Sequence, residues 1–143
     1  MDPTPKIGAH MTSRETVAGI GGVFFKARDP KALAAWYREH LGIPVVNGGT
    51  YASLSVGEDG RDATGAPAET VWSTFPMTTD YFGDGGSSSM INYRVKNLEA
   101  MLEQLRAAGV WVSDKVMDEG YGKFGWAADP EGNRFELWQP APA

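Results

Sequence analysis

Glu136 is the residue best placed to do chemistry. In the segment Arg134 to Trp138, strand alternation puts Arg134, Glu136 and Trp138 on one face and Phe135 and Leu137 on the other. The first face, with a guanidinium, a carboxylate and an indole, suits a cavity wall, while the second suits packing under a helix. Glu136 becomes a general base if burial lifts its pKa toward neutrality. Met90, Asn92 and Arg94 share a face in the same way, alternating with Tyr93 and Val95. Arg94 and Glu136 either form a structural ion pair or meet the polar groups of a ligand, since a buried charge needs a partner under both readings. Lys26 carries the same ambiguity. Trp72, Trp126 and Trp138 lie in strand segments and either line an apolar pocket or belong to the core or a dimer interface. Tyr121-Gly122-Lys123 leads into the last hairpin, where Tyr121 is a candidate phenolic donor and Lys123 a candidate anion clamp. With two histidines and no supporting motif, a Ser–His nucleophile is not expected.

The elements that must position these residues are written twice. Asp29 followed by Pro30 predicts a capped helix with Leu33, Trp36, Tyr37 and Leu41 as its apolar stripe and Gly42 as its stop. Asn97 predicts a second cap, followed by Leu98, Met101, Leu102 and Leu105 and the stop Gly109. The copies run in register, pairing Lys26 with Arg94, Arg28 with Lys96 and Asp29 with Asn97, the pattern of an internal duplication. Strands are expected at Ile20 to Lys26, Tyr51 to Val56, Thr70 to Phe75, Met90 to Val95 and near Trp111. A final hairpin turns at Asp129-Pro130-Glu131-Gly132. Residues 1–18 read as a flexible N-terminal arm and 19–143 as one domain. That domain divides into a first module at 19–76, a linker at 77–89 and a second module at 90–140.

A chain of 143 residues is long enough for one such domain. The absence of cysteine excludes disulfides, thiolate catalysis and sulfur-ligated metal. No apolar run is long enough for a membrane span, the N-terminus lacks the order of a secretory signal, and a cytoplasmic protein is expected. The net charge of −5 without a basic face argues against nucleic acid as a partner.

Phe25-Lys26-Ala27-Arg28-Asp29-Pro30, the helix from Trp36-Tyr37 to Leu41-Gly42, and Asp129-Pro130-Glu131-Gly132-Asn133-Arg134-Phe135-Glu136-Leu137 together resemble the vicinal oxygen chelate superfamily. This group includes glyoxalases, bleomycin-resistance proteins and extradiol dioxygenases. The resemblance implies an α+β fold of two βαβββ modules whose strands curl into a cup-shaped, partly open mixed barrel, and a homodimer. In metal-dependent members, His, Gln or Glu at four strand positions hold one divalent ion. Here those positions fall on Gly22, Met90, Glu136 and a point near Trp72, so at most one good ligand survives and no metal cofactor is expected. Rescue of such a site by His40, Asp80, Asp84, Asp118 or Glu119 is disfavoured. The leading expectation is a protein that binds a small hydrophobic or aromatic molecule without a catalytic metal. Its site would use Trp72, Met90, Asn92, Arg94, Tyr121, Trp126 and Trp138. The alternative is a lyase, isomerase or dioxygenase using Glu136 as metal ligand or general base. A third reading is an interaction module whose cup is filled by its own side chains.

Overall fold

Asp29 and Asn97 each satisfy an amide that the start of a helix would otherwise leave open. In the computed structural model, which describes residues 14–55, 60–84 and 86–142, Asp29 Oδ1 accepts the Ala32 amide at 3.1 Å and Asn97 Oδ1 accepts the Ala100 amide at 3.0 Å. These caps open α1 (Pro30–Leu41) and α2 (Leu98–Ala107). Gly42 ends α1 at φ 68° and Gly109 follows α2 at φ 80°, left-handed positions where a Cβ is penalised.

Among the described residues, seven strands flank the helices in chain order: β1 (Val17–Ala27), β2 (Tyr51–Ser55), β3 (Glu69–Pro76), β4 (Ser89–Val95), β5 (Met117–Glu119), β6 (Gly122–Ala128) and β7 (Arg134–Pro140). They form one mixed, curled sheet in the order β2-β3-β1-β4-β7-β6-β5. In each half the first strand lies parallel to the last, β1 beside β3 and β4 beside β7, and an antiparallel β1–β4 pair joins the halves. The duplication in the sequence is therefore a duplication in space.

The two halves are not equally complete. A strand near Trp111 is reduced to an isolated bridge between Val112 and Ala127, and β5 follows it. In the first half the described residues after α1 supply only β2 and β3, with a bridge between Arg61 and Pro67. β1 begins at Val17, opposite Val95, so the end of the segment assigned to an arm is sheet. Just before it, the Glu15 backbone exchanges two hydrogen bonds with the Gln104 side chain on α2. Residues 1–13 lie outside the described residues.

The helices cover the convex face. Under α2, Leu98, Met101 and Leu102 pack on Val95 and Leu137, each such side chain contributing about 1.5–3 kcal/mol by burial. Gly125 permits this approach, because a Cβ there would lie 3.1 Å from Leu102. Under α1 the contact is made by Ala34 and Tyr37 against Trp72, not by the whole expected stripe. Trp36 is 51 % exposed and Leu41 is also open to solvent. Small Ala34 lets the backbone sit close to the Trp72 ring, which rotates Trp36 outward. The β6–β7 turn closes as expected, with the Gly132 amide on the Asp129 carbonyl at 3.0 Å. Bonds from Asn133 hold the Asp129 carboxyl below the usual carboxylate range.

Candidate functional site

Strand parity delivers the concave face foreseen for β4 and β7, and β6 adds Trp126 to it. Asn92 lies opposite Glu136 in the β4–β7 register, and Trp126 lies opposite Glu136 across β6–β7. Asn92 Nδ2 donates to Glu136 Oε1 at 2.5 Å, and Trp126 Nε1 donates to Oε2 at 3.0 Å. The Tyr81 hydroxyl donates to the same Oε2. Glu136 and Asn92 are each 2 % exposed. Burial pushes the Glu136 carboxyl above its ordinary value, and the three donors oppose that shift without cancelling it. Tyr81 is pushed far upward by burial and then by the neighbouring Glu136 charge, so it keeps its proton and serves as a donor. Asn92 Oδ1 is buried without a hydrogen-bond partner. It faces Gly21, where a Cβ would lie 2.2 Å away.

Tyr81 belongs to the connection between the modules, read from sequence as a linker. Its ring stacks on Phe75 at 5.6 Å and meets Trp126 edge-on at 6.1 Å. The adjacent Phe82 packs with Phe24, Met90 and Trp126. These aromatics occupy the floor of the cup around Glu136. Two adjacent large apolar residues within a Gly- and Ser-rich stretch were the signal for this role, because such residues seek burial.

Arg94 does not pair with Glu136. Trp138 is its register partner on β7, and its guanidinium lies 5.0 Å from that indole. From there Arg94 Nε reaches Asp62 Oδ2 at 2.5 Å, and Nη2 donates to the Pro67 carbonyl at 2.8 Å and to Thr64 Oγ1 at 3.3 Å. Burial raises the Asp62 pKa, but bonds from Arg94 and Thr64 outweigh it and hold the carboxyl below its usual range. Asp62 escaped the sequence reading because nothing local separates it from other loop carboxylates. The only hint was that a buried Arg94 requires an acid.

Trp72 is also misplaced by the sequence reading. Lys26 and Arg94 are equivalent in the repeat, and so therefore are Phe24 and Asn92. Phe24 pairs with Ser73 as Asn92 pairs with Glu136. The counterpart of Glu136 is thus Ser73, one residue on, and Trp72 points to the opposite face beneath α1. Met90, Asn92, Trp126 and Trp138 do lie on the concave face. Trp138 Nε1 is bound to the Tyr121 carbonyl at 3.1 Å. Tyr121 is exposed and touches Phe124 edge-on. Lys123 lies 4.0 Å from Glu99 of α2, the His40 ring lies tilted against Trp36, and Lys26 lies over Phe82. Asp80, Asp84, Asp118 and Glu119 are exposed. Asp80 and Asp84 line a rim cavity of about 360 Å³ with Arg134 and Trp111.

The four positions implied for a divalent ion are therefore filled by Gly22, Ser73, Met90 and Glu136. Glycine has no donor, and a Cβ at Gly22 would lie 2.6 Å from the Phe24 ring. Met90 is packed among aromatics, Ser73 Oγ is turned to the Thr74 carbonyl, and both Glu136 oxygens already accept hydrogen bonds. This donor set does not fit a hard divalent cation. Among the described residues no group of three or more His, Asp or Glu is placed to hold one elsewhere.

Residues 22–138 match the glyoxalase-like domain family. The chain belongs to that family. Within the wider vicinal oxygen chelate superfamily, this glyoxalase-like chain is similar in fold to methylmalonyl-CoA epimerases. The Mycobacterium tuberculosis enzyme is 20 % identical with a TM-score of 0.58, over 88 % of this chain and 90 % of that one. A Streptomyces coelicolor variant in complex with 2-nitronate-propionyl-CoA is 18 % identical with a TM-score of 0.62, over 89 % and 100 %. An epimerase in complex with methylmalonyl-CoA and NH4+ gives 18 % and 0.60, again over 89 % and 100 %. At these identities the likeness is one of fold. Among proteins with curated functions, no sequence match is found.

Proposed function

We propose that this glyoxalase-like protein binds a small, flat, apolar molecule carrying a hydrogen-bond donor in its concave cavity, and that no catalytic metal takes part. One observation carries the reading: the Tyr81 phenol, stacked on Phe75 and edge-on to Trp126, already donates to Glu136 as such a ligand would. Exchange of one phenol for another conserves the hydrogen bond and the stacking. The backbone hydrogen bonds of the segment around Tyr81 are local turns, with the Tyr81 amide on Thr79 Oγ1 and the Gly83 amide on the Asp80 carbonyl, so the rest of the sheet stays paired when that segment moves. Displacement of Tyr81 and Phe82 then opens the cup, and the internal phenol lowers apparent affinity by the fraction of time it occupies the site.

The test is calorimetric titration with 2-naphthol. Tyr81→Ala removes the internal competitor and is expected to bind at least about tenfold more tightly than the unmodified protein. Adding Glu136→Leu to Tyr81→Ala is expected to abolish that gain. Equal affinity in all three proteins would refute the reading.

A second reading, an enzyme of the lyase, isomerase or dioxygenase type, is favoured by the upward shift of Glu136 and by the epimerase neighbours. Glu136 then takes a proton from a carbon acid once Tyr81 has moved, and regains its bonds to Asn92 and Trp126 afterwards. Deuterium incorporation into methylmalonyl-CoA in heavy water, followed by NMR and abolished in Glu136→Gln, is the expected result; no exchange refutes this activity on that substrate. A cytoplasmic homodimer completes the proposal. No helix among the described residues is long and apolar enough to cross a membrane, and sedimentation equilibrium measures the assembly.

A further inference from the structure

We infer a second binding site, on the outer surface beside the start of α1, for a small amphipathic anion such as a medium-chain carboxylate. It is independent of the cup. A cavity of about 790 Å³ lies between α1, the end of β1 and the residue after β3, within the usual range for small-molecule sites. Its apolar wall is Leu33, Trp36, Tyr37 and Met77. Trp36 and Met77 are 51 % and 53 % exposed, so the wall loses contact with water when an apolar chain lies on it. Its polar edge holds Lys26 and Arg28.

Charge decides the ligand class. Neither Lys26 nor Arg28 has an ion-pair partner among the described residues, in a chain whose net charge is −5. Asp29 also lines the cavity, but its Oδ1 is taken by the Ala32 amide as the helix cap. Two cations against one engaged carboxylate beside an indole and a thioether select a molecule with an anionic head and an apolar body. Lys26 also lies 5.8 Å from the centre of the Phe82 ring and so borders the cup plug. Arg28, Trp36 and Met77 do not share that contact, and variants there separate the two sites.

The experiment is calorimetric titration of the full chain with decanoate. Saturable binding at one site per chain is expected. Arg28→Glu and Trp36→Ala, both at exposed positions, should each weaken it at least about tenfold, and Glu136→Gln should leave it unchanged. Methyl decanoate, which lacks the charge, should bind at least about tenfold more weakly. The inference is overturned by absence of saturable binding, by equal affinity for acid and ester, or by loss of binding in Glu136→Gln with retention in Trp36→Ala. It is also overturned if the chain sediments as a dimer that Trp36→Glu dissociates, because a second copy then covers this wall.

Discussion

Replacing Glu136 separates the acceptor role of its carboxylate from its charge. Glu136→Ala strands three donors, the Tyr81 hydroxyl, Trp126 Nε1 and Asn92 Nδ2. A buried donor without a partner costs about 1–3 kcal/mol, and half-buried Tyr81 regains some bonding from water, giving about 3–5 kcal/mol in total. That is a large share of the ~5–15 kcal/mol that holds a typical domain together. Glu136→Gln behaves differently. Its amide oxygen takes the place of Oε2 and keeps Tyr81 and Trp126, while its NH2 faces Asn92. Asn92 then turns its amide and offers Oδ1, the atom now without a partner. One orphan replaces another, and the cost stays below about 1 kcal/mol. The pH dependence has a definite sign. The folded-state pKa of Glu136 is raised, so the folded protein holds that proton more firmly than the unfolded chain. The stability this contributes is present at low pH and is lost as pH rises through the folded value. Glutamine has no such loss, and its stability relative to the unmodified protein should improve as pH rises from the ordinary carboxylate range through the folded value of Glu136. Urea denaturation followed by tryptophan fluorescence, with unchanged m-values, gives both quantities. An alanine cost below about 1 kcal/mol, or an alanine variant no less stable than the glutamine variant, refutes the reasoning.

The latch between Arg94 and Asp62 should be as sensitive: Asp62→Ala leaves a buried guanidinium without its acid and is expected to cost about 3–5 kcal/mol in the same assay. Because the Asp62 pKa is lowered, its stabilisation is present above the ordinary carboxylate range and disappears as pH falls through the folded value, a loss that Asp62→Asn should remove. Gly21→Ala should destabilise by about 3 kcal/mol or more, since the new methyl would lie 2.2 Å from Asn92 Oδ1 and 2.8 Å from Arg94 Cγ; thermal unfolding checks this. Asp29→Ala and Asn97→Ala should each cost about 1 kcal/mol, and similar values would show that the two repeats use their caps equally.

What the sequence disclosed is what short-range periodicity controls. Both caps, both glycine stops and the alternation in β4 and β7 are local properties, and they stand where expected. Residues set by long-range packing were not legible. Trp72 and Ser73 differ by one position, and in a strand that step exchanges the concave for the convex face. Trp36 and Leu41 fit a helical stripe, yet the helix is oriented by its contact through Ala34 and Tyr37. Tyr81 and Asp62 come from connections whose composition signals only turns, and their importance arises from partners 55 and 32 residues away.

The filled cup and the missing metal donors are two sides of one arrangement. With Gly22 and Met90 where the superfamily resemblance places ligands, Glu136 would face an apolar cavity alone, and a lone buried carboxylate is costly. Protein hydrogen bonds offset part of that cost here: Asn92 through the β4–β7 register, Trp126 through β6–β7, and Tyr81 from the connection between modules. The same solution obstructs a return to metal binding. A side chain at Gly22 meets the Phe24 ring at 2.6 Å and Asn92 Cβ at 3.2 Å, while Met90 is locked beside Phe24, Phe82 and Trp126. New ligands at both positions would have to evict the aromatic plug before reaching a shared ion. Under the proposed reading, a molecule that donates to Glu136 and stacks as Tyr81 does has to displace only that ring and its neighbour Phe82, a smaller rearrangement than new side chains at Gly22 and Met90 would require.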